Sequence, residues 1–223
     1  MTDLARRLSA EALGTGLLVA TVIGSGIMAE RLTSDIALTL LANTMPTAAI
    51  LVVLITLLGP ISGAHFNPVV TLVFTLRGDL ERGSALFYCG AQILGGLVAV
   101  ALTHFMFETN AFALAQNVRT GVSQWFSEAV AAFGLLLVVL LGQRHKGAIP
   151  ALVGLYIGAA YWFTASTSFA NPAVTLARAF TDSFSGIGIG DVPGFVLAQI
   201  VGALAALVLA NWLQPRTNEE VRT

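Results

Sequence analysis

The stretch HFNPVVTL at residues 65–72 recurs as FANPAVTL at residues 169–176. The motif Asn67-Pro68-Val69 thus matches Asn171-Pro172-Ala173, and the two asparagines lie 104 positions apart. Asparagine is a favourable helix N-cap, and proline suits the first helical turn. Each copy therefore predicts the start of a short helix, and the repetition indicates a duplicated chain.

The composition indicates a membrane protein. Of the 223 residues, 56% are hydrophobic and 10% are charged, whereas soluble domains carry about 25% charged residues. The lone Cys89 excludes an internal disulfide, and a net charge of −1 gives no electrostatic basis for binding nucleic acid. We therefore predict that the chain is surrounded by membrane lipid and that nucleic acid is not a partner.

Six apolar stretches are predicted to cross the bilayer, which takes about 20 residues of helix. Their approximate ranges are 8–28, 36–58, 84–107, 126–141, 149–165 and 193–213. We expect Gly59-Pro60 to end the second span, whereas segments 67–76 and 171–180 are too short to cross. The predicted fold class is an all-α membrane protein with six transmembrane helices and two half-helices.

The two halves of the chain are predicted to insert in opposite senses. Each contains an odd number of full spans, so the second half begins on the opposite side of the membrane. A match between AQILGG at residues 91–96 and AQIVGA at residues 198–203 supports a duplication. We predict one transmembrane domain over residues 1–223, with inverted repeats at about 1–107 and 124–214 and a linker at about 108–123.

The basic residues predict that both termini are cytoplasmic. With that orientation the inside set is Arg6, Arg7, Arg77, Arg82, Arg144, Lys146, Arg216 and Arg222. The outside keeps Arg31 and Arg119. Eight basic residues against two agree with the positive-inside rule, and we expect the cell membrane, plasma or inner, to be the location.

The repeated Asn-Pro segments predict a pore. Backbone outside a helix cannot face lipid, because its unsatisfied polar groups are costly there, so the approaches at 61–66 and 165–170 must be buried or line water. Under inverted symmetry the two helix starts meet near the midplane, where their positive ends oppose cations and admit neutral solutes. The alternative is that each Asn-Pro merely ends an ordinary loop.

The chain resembles the major intrinsic protein family, the aquaporins and aquaglyceroporins, over essentially its whole length. The resemblance rests on the six spans, on SGAHFNPV at residues 62–69 and on Asn171-Pro172-Ala173. It implies an hourglass fold, a homotetramer and passive conduction of water and small neutral solutes through each protomer. Val69 stands where most members have alanine, a change that should leave the Asn-Pro geometry intact.

Five further polar residues are candidates for supporting the pore. The resemblance implies that Glu11 and Glu128 accept hydrogen bonds from the non-helical loop backbone; the alternative is that both are ordinary charges at the membrane interface. Gln92 and Gln199 either form hydrogen bonds across helices or simply pack. The resemblance implies that His65 faces the cytoplasmic half of the pore, whereas the residue alone favours a buried histidine with satisfied hydrogen bonds.

The sequence departs from the family at the selectivity filter. Val174 follows the second motif, where most members have arginine; Arg178 lies one turn and about 6 Å further on and is not assigned that role. Alignment without gaps places Thr47, Ala159, Ser168 and Val174 around the constriction, although a slip in this alignment is an alternative. This ring is small and uncharged, so the constriction is expected to be wide.

A wide constriction predicts permeants larger than water: glycerol-like polyols, urea, or neutral metalloid hydroxides such as arsenous acid (arsenite) and boric acid. The alternatives are a water-selective aquaporin, a secondary transporter built on the same inverted repeat, or a closed structural member. A transporter needs ion-coordinating acids near the midplane, for which Glu11 and Glu128 are the candidates. No catalytic constellation, cofactor motif or metal-ligand spacing is found, so an enzyme is not predicted.

Overall fold

The computed structural model describes residues 2–215, which form helices and connecting loops. In this range the α helices are α1 Thr2–Leu32, α2 Ile36–Ser62, α3 Pro68–Leu76, α4 Arg82–Met106, α5 Val122–Gly142, α6 Ile149–Phe163, α7 Pro172–Arg178 and α8 Val192–Leu213. Short 3-10 helices cover Gln143–Ala148 and Ile189–Asp191. Arg216 and Arg222, which the orientation prediction counted, lie outside the described residues.

The helix order repeats as long, long, short, long in each half. Within residues 2–215, five helices are long and apolar enough to cross a membrane. The sixth full-length element, α6, has 15 residues and is therefore about 22 Å long, shorter than a typical spanning helix. The predicted all-α membrane fold, with two half-helices, is confirmed.

The end of α2 differs from the prediction. The helix does not stop at Gly59-Pro60 but continues to Ser62, and Gly63 ends it in the left-handed conformation at φ 89°. The amide of Gly63 donates to the Gly59 carbonyl at 2.9 Å, which closes the last turn. A break at residue 59 would have left further backbone groups without partners at membrane depth. The non-helical approach to the first motif is therefore residues 63–66.

Two equivalent glycines let long helices touch backbone to backbone. A Cβ atom on Gly95 of α4 would lie 2.1 Å from the carbonyl oxygen of Ala12 in α1, and one on Gly202 of α8 would lie 2.1 Å from that of Ala129 in α5. Small residues at helix interfaces permit such close packing in membranes. The same contact in both halves holds α1 against α4 and α5 against α8.

Gly95→Ala is therefore expected to lower the thermal unfolding temperature of the detergent-solubilised protein, because the helices must separate to admit the methyl group. Overpacking of this kind typically costs about 1–3 kcal/mol. Gly90→Ala, in the same helix, is the matched control because a Cβ there meets nothing within 4 Å. Equal unfolding temperatures for the two variants would contradict the contact.

The outer surface of the helices is apolar. Leu86, Phe105, Leu155 and Val208 each expose more than half of their surface, which suits contact with lipid chains. Many of the buried polar residues, among them Glu11, Gln92, Glu128 and Gln199, instead lie around the two non-helical approaches and the half-helices. The fold thus directs its polar groups inward, where the candidate site lies.

Candidate conduction site

Each half-helix begins at the asparagine of its motif. The side-chain oxygen of Asn67 accepts a hydrogen bond from the Val69 amide at 3.0 Å. The side-chain oxygen of Asn171 accepts from the amides of Ala173, at 3.0 Å, and Val174, at 3.3 Å. Pro68 and Pro172 occupy the first helical position, where the missing proline N–H costs nothing. The predicted N-caps and their prolines therefore determine where both short helices start.

The two asparagines also tie the halves together. Asn67 Nδ2 donates to the Ala170 carbonyl at 2.8 Å, and Asn171 Nδ2 donates to the Phe66 carbonyl at 2.7 Å. A side-chain amide carries two N–H groups. Within residues 2–215 the second N–H of each asparagine has no protein partner, so each remains available to a passing molecule.

The loops before the motifs adopt matching left-handed conformations. Ala64 and Phe66 have φ values of 50° and 49°, and Ser168 and Ala170 have 52° and 48°. Such backbone costs on the order of 1–3 kcal/mol per residue and persists only where the surroundings impose it. Ala64 and Ser168 are 104 positions apart, as are Phe66 and Ala170. The two loops therefore repeat the same backbone conformation residue by residue.

Glu11 holds the first loop. This fully buried carboxylate accepts hydrogen bonds from the amides of His65, at 3.0 Å, and Phe66, at 2.7 Å. Gln92 Nε2 donates to the same carboxylate at 2.7 Å and to the Thr71 hydroxyl at 3.0 Å. The burial and these bonds favour loop support over an exposed interfacial charge for Glu11, and Gln92 takes part in the same polar network.

Glu128 holds the second loop in the same way. It is fully buried and accepts hydrogen bonds from the amides of Phe169, at 2.9 Å, and Ala170, at 2.8 Å. Gln199 Nε2 donates to Glu128 at 2.6 Å and to the Thr175 hydroxyl at 2.9 Å. Both carboxylates are therefore committed to loop amides, which leaves them poorly suited to coordinating a transported ion.

A cavity of about 570 Å³ passes both asparagines; we call it the central cavity. We call the part of the cavity lined by His65 and Gly147 the N-terminal mouth, and the part lined by the buried residues Ser168 and Arg178 the linker mouth. The four long helices α1, α2, α5 and α6 contribute a mainly apolar wall, formed by Leu18, Val22, Leu51, Leu135, Val139, Val153 and Ile157. The cavity therefore combines a polar strip of loop with apolar helix faces.

His65 lies where the central cavity meets a second space of about 600 Å³ at the N-terminal mouth. Its Nδ1 atom is 3.1 Å from the Thr71 hydroxyl. The imidazole ring packs against Phe74 and Tyr88, with centroids 4.8 and 5.5 Å away. The ring is thus fixed at the mouth, where its polar edge can meet a solute.

A profile of the family described as Major intrinsic protein matches residues 1–169, well over half of the chain. The chain belongs to the major intrinsic protein family. It is 62% identical over 212 residues to "Aquaglyceroporin AqpS" of Rhizobium meliloti (strain 1021), covering 95% of this chain and 91% of that protein. It is also 28% identical over 210 residues to "Aquaporin NIP6-1" of Arabidopsis thaliana, covering 91% and 67%.

The fold also matches a solved member of the family. The X-ray structure of the aquaglyceroporin from Plasmodium falciparum superposes with a TM-score of 0.69 at 19% identity, covering 98% of each chain. At this identity the comparison shows the shared fold alone. The similarity to channel proteins agrees with the sequence-based prediction of a channel and not an enzyme.

For one of the four residues predicted around the constriction, the predicted place in the cavity wall was wrong. Thr47, Ser168 and Val174 line the central cavity, but Ala159 does not and is exposed on the outside of α6. Residues two apart point to nearly opposite sides of a helix, and Tyr161 faces inward instead. Its hydroxyl lies 3.5 Å from that of Thr47, so the cavity wall carries an aromatic side chain that the alignment missed.

Arg178 reaches the cavity, although the sequence analysis assigned it no role in this family's filter. Its side chain lines the linker mouth and is 2% exposed. The guanidinium carbon lies 3.3 Å from the centroid of the Phe169 ring. The i, i+4 spacing from Val174 was the available signal, since such residues share a helix face.

A second arginine braces the same region from the linker. Arg119 donates from Nε to the Gly186 carbonyl at 2.9 Å and from Nη2 to the Phe184 carbonyl at 3.2 Å. Its guanidinium carbon lies 5.2 Å from the Phe169 ring centroid. Burial lowers the pKa of Arg119 from its ordinary value. From the sequence, Arg119 was predicted only to be a basic residue of the outer side.

Proposed function

We propose that the protein is a passive membrane channel for small uncharged solutes that include molecules larger than water. The candidate permeants are glycerol-like polyols, urea and neutral metalloid hydroxides such as arsenous acid. The observation that carries this proposal is the central cavity, which runs past both asparagines to Val174 at the position where the family usually has arginine. The volume of about 570 Å³ is spread along this whole path, so the support for larger permeants is the small, uncharged side chain of Val174 at that position.

The wall of the cavity is suited to solutes that have both polar and apolar surface. Asn67 and Asn171 each present an unpaired N–H that a hydroxyl or carbonyl oxygen can accept. The helix faces carry Leu18, Leu51 and Ile157, which can contact the carbon atoms of a polyol. A solute that forms a hydrogen bond with the asparagines pays a smaller desolvation free energy on leaving water than a solute that finds no hydrogen-bond partner there.

Charged solutes are expected to be excluded. Both half-helices begin at the asparagines, and the positive ends of their dipoles oppose cations there. Glu11 and Glu128 are occupied by loop amides and do not line the central cavity. The relative called an aquaglyceroporin, at 62% identity, further supports conduction of solutes beyond water.

We also propose an assembly and an orientation. A homotetramer in the cell membrane, with cytoplasmic termini, follows the family resemblance. Arg7, Arg77 and Arg144 gather at the N-terminal mouth, as the positive-inside rule requires of a cytoplasmic side. Gln214, near the end of the described chain, lines the same mouth.

Uptake into liposomes containing the purified protein tests the channel mechanism against the transporter alternative. Labelled glycerol is expected to enter in proportion to its gradient, without saturation over the millimolar range and without response to a sodium or pH gradient. The physical reason is that the carboxylates needed for ion coupling are already bonded to loop amides. Saturable uptake that a cation gradient accelerates would favour a secondary transporter.

A further inference from the structure

Arg178 is a buried cation without an acidic partner. Its Nε donates to the Ser185 carbonyl, while its Nη1 has no hydrogen-bond partner within residues 2–215. No carboxylate in the described chain lies within salt-bridge distance of it. The buried Glu128, the acid of this half, is bonded to the loop amides and to Gln199. The guanidinium charge is therefore not neutralised by the protein that surrounds it.

The side chain is nevertheless held in place. The Phe169 ring lies against the guanidinium at 3.3 Å, and the same ring is shared with Arg119 at 5.2 Å. Stacking on an aromatic face and the bond to Ser185 leave little rotational freedom. Arg178 is thus a fixed donor at the linker mouth.

Ser168, a residue that lines the same part of the cavity, carries a second unpartnered polar atom. The Ser168 hydroxyl is buried, 3% exposed, and has no hydrogen-bond partner within the described residues. Buried donors and acceptors are costly when unpaired and are normally satisfied by protein, water or ligand. Two such groups on one cavity wall, one of them cationic, point to an oxygen-bearing occupant that completes their hydrogen bonds.

We propose that Arg178 supplies the positive charge and the hydrogen-bond donor that residue 174 lacks, and so determines the selectivity of the linker mouth. Its charge repels cations, including hydrated protons, while its free N–H binds a hydroxyl or carbonyl oxygen of a neutral permeant together with Ser168. The proposal rests on the channel function proposed above. The sequence predicted an uncharged ring at this part of the cavity. In the structure a charged donor, Arg178, lies there instead, one helical turn beyond Val174 along α7.

Two substitutions separate the charge of Arg178 from its structural contacts. Arg178→Gln keeps an amide that can donate to Ser185 but removes the charge, whereas Arg178→Lys keeps the charge. Proton and potassium leak are measured in liposomes and divided by water permeability, which counts assembled channels. Arg178→Gln is expected to raise cation leak per channel by at least about tenfold, and Arg178→Lys to stay within about twofold of wild type.

Arg31→Gln is the matched control. Arg31 also donates to a backbone carbonyl and lies over a phenyl ring, both of Phe107, but it is exposed and outside the central cavity. Its substitution should leave the leak unchanged. If both Arg178 variants leaked cations at the wild-type rate, or if both leaked more but equally, the proposal would be overturned. In either case the leak would not depend on whether residue 178 carries a charge.

A measurement on the unaltered channel covers the case in which Arg178→Gln does not assemble. Methylglyoxal, a small neutral arginine reagent, should modify Arg178 from within the pore, and excess urea should slow that modification but not the modification of Arg31. Peptide mass spectrometry reads both sites. An unmodified Arg178, or one that urea does not protect, would overturn the proposal. Absence of glycerol flux in the wild type would instead contradict the channel function itself.

Discussion

Glu128→Ala is expected to abolish solute flux and to destabilise the protein severely. The substitution removes the acceptors of the Phe169 and Ala170 amides and of the Gln199 side chain. Each buried donor left without a partner costs about 1–3 kcal/mol, so the two loop amides alone cost roughly 2–6 kcal/mol. Gln199 Nε2 keeps its bond to the Thr175 hydroxyl. Ala170 also sits in left-handed backbone that the carboxylate holds in place.

The second half-helix is then expected to lose its position. The loop carbonyl of Ala170 accepts a hydrogen bond from the side-chain amide of Asn67, so a displaced loop also breaks one of the two asparagine hydrogen bonds between the halves. Flux of glycerol and water in liposomes and the unfolding temperature in detergent measure the two effects. Glu30→Ala, at an exposed site near the end of α1, is the control. A stable Glu128→Ala channel with wild-type flux would contradict the supporting role.

Val174→Arg is expected to reduce glycerol flux by at least about tenfold, a barrier increase of roughly 1.4 kcal/mol or more. Val174 is buried in the wall of the central cavity, one turn before Arg178 on the same face of α7. A second guanidinium there fills part of the passage and repels the first in a medium of low dielectric. Water, being smaller, should be affected less than glycerol.

Val118→Arg provides the control for Val174→Arg. It places the same side chain on the linker, where Val118 is 77% exposed and does not line the central cavity. Stopped-flow swelling in a glycerol gradient compares the two variants in liposomes of equal protein content. Unchanged glycerol flux in an assembled Val174→Arg channel would show that the permeation path does not pass residue 174.

The sequence predicted most of the fold because its decisive signals are local. Asparagine is a favourable N-cap and proline suits the first helical turn, so Asn67 and Asn171 located both half-helices, and their repetition indicated the inverted halves. Apolar runs located the ends of the long helices to within about six residues. The end of α2 was missed because a helix that stopped at Gly59-Pro60 would leave backbone groups without hydrogen bonds in the membrane. The helix instead continues to Ser62, and the left-handed conformation of Gly63 ends it. Proline alone does not reveal this.

The candidate site was predicted less completely, because side-chain direction depends on how each helix is rotated in the bundle. Ala159 and Tyr161 are two residues apart on an apolar helix, and no sequence signal near them determines which one faces inward. Ser168 and Val174 lie next to the second motif, and both line the central cavity. Arg178 reaches the cavity through its stacking on Phe169, a tertiary contact that spacing alone does not reveal.

The central claim is that the cavity conducts neutral solutes larger than water. The most direct measurement is the ratio of glycerol to water permeability for the wild-type protein, determined by stopped-flow light scattering on one liposome preparation. We predict glycerol permeability well above that of protein-free liposomes, and a ratio that falls in Val174→Arg. Fast water flux together with glycerol permeability no greater than that of protein-free liposomes would contradict the claim.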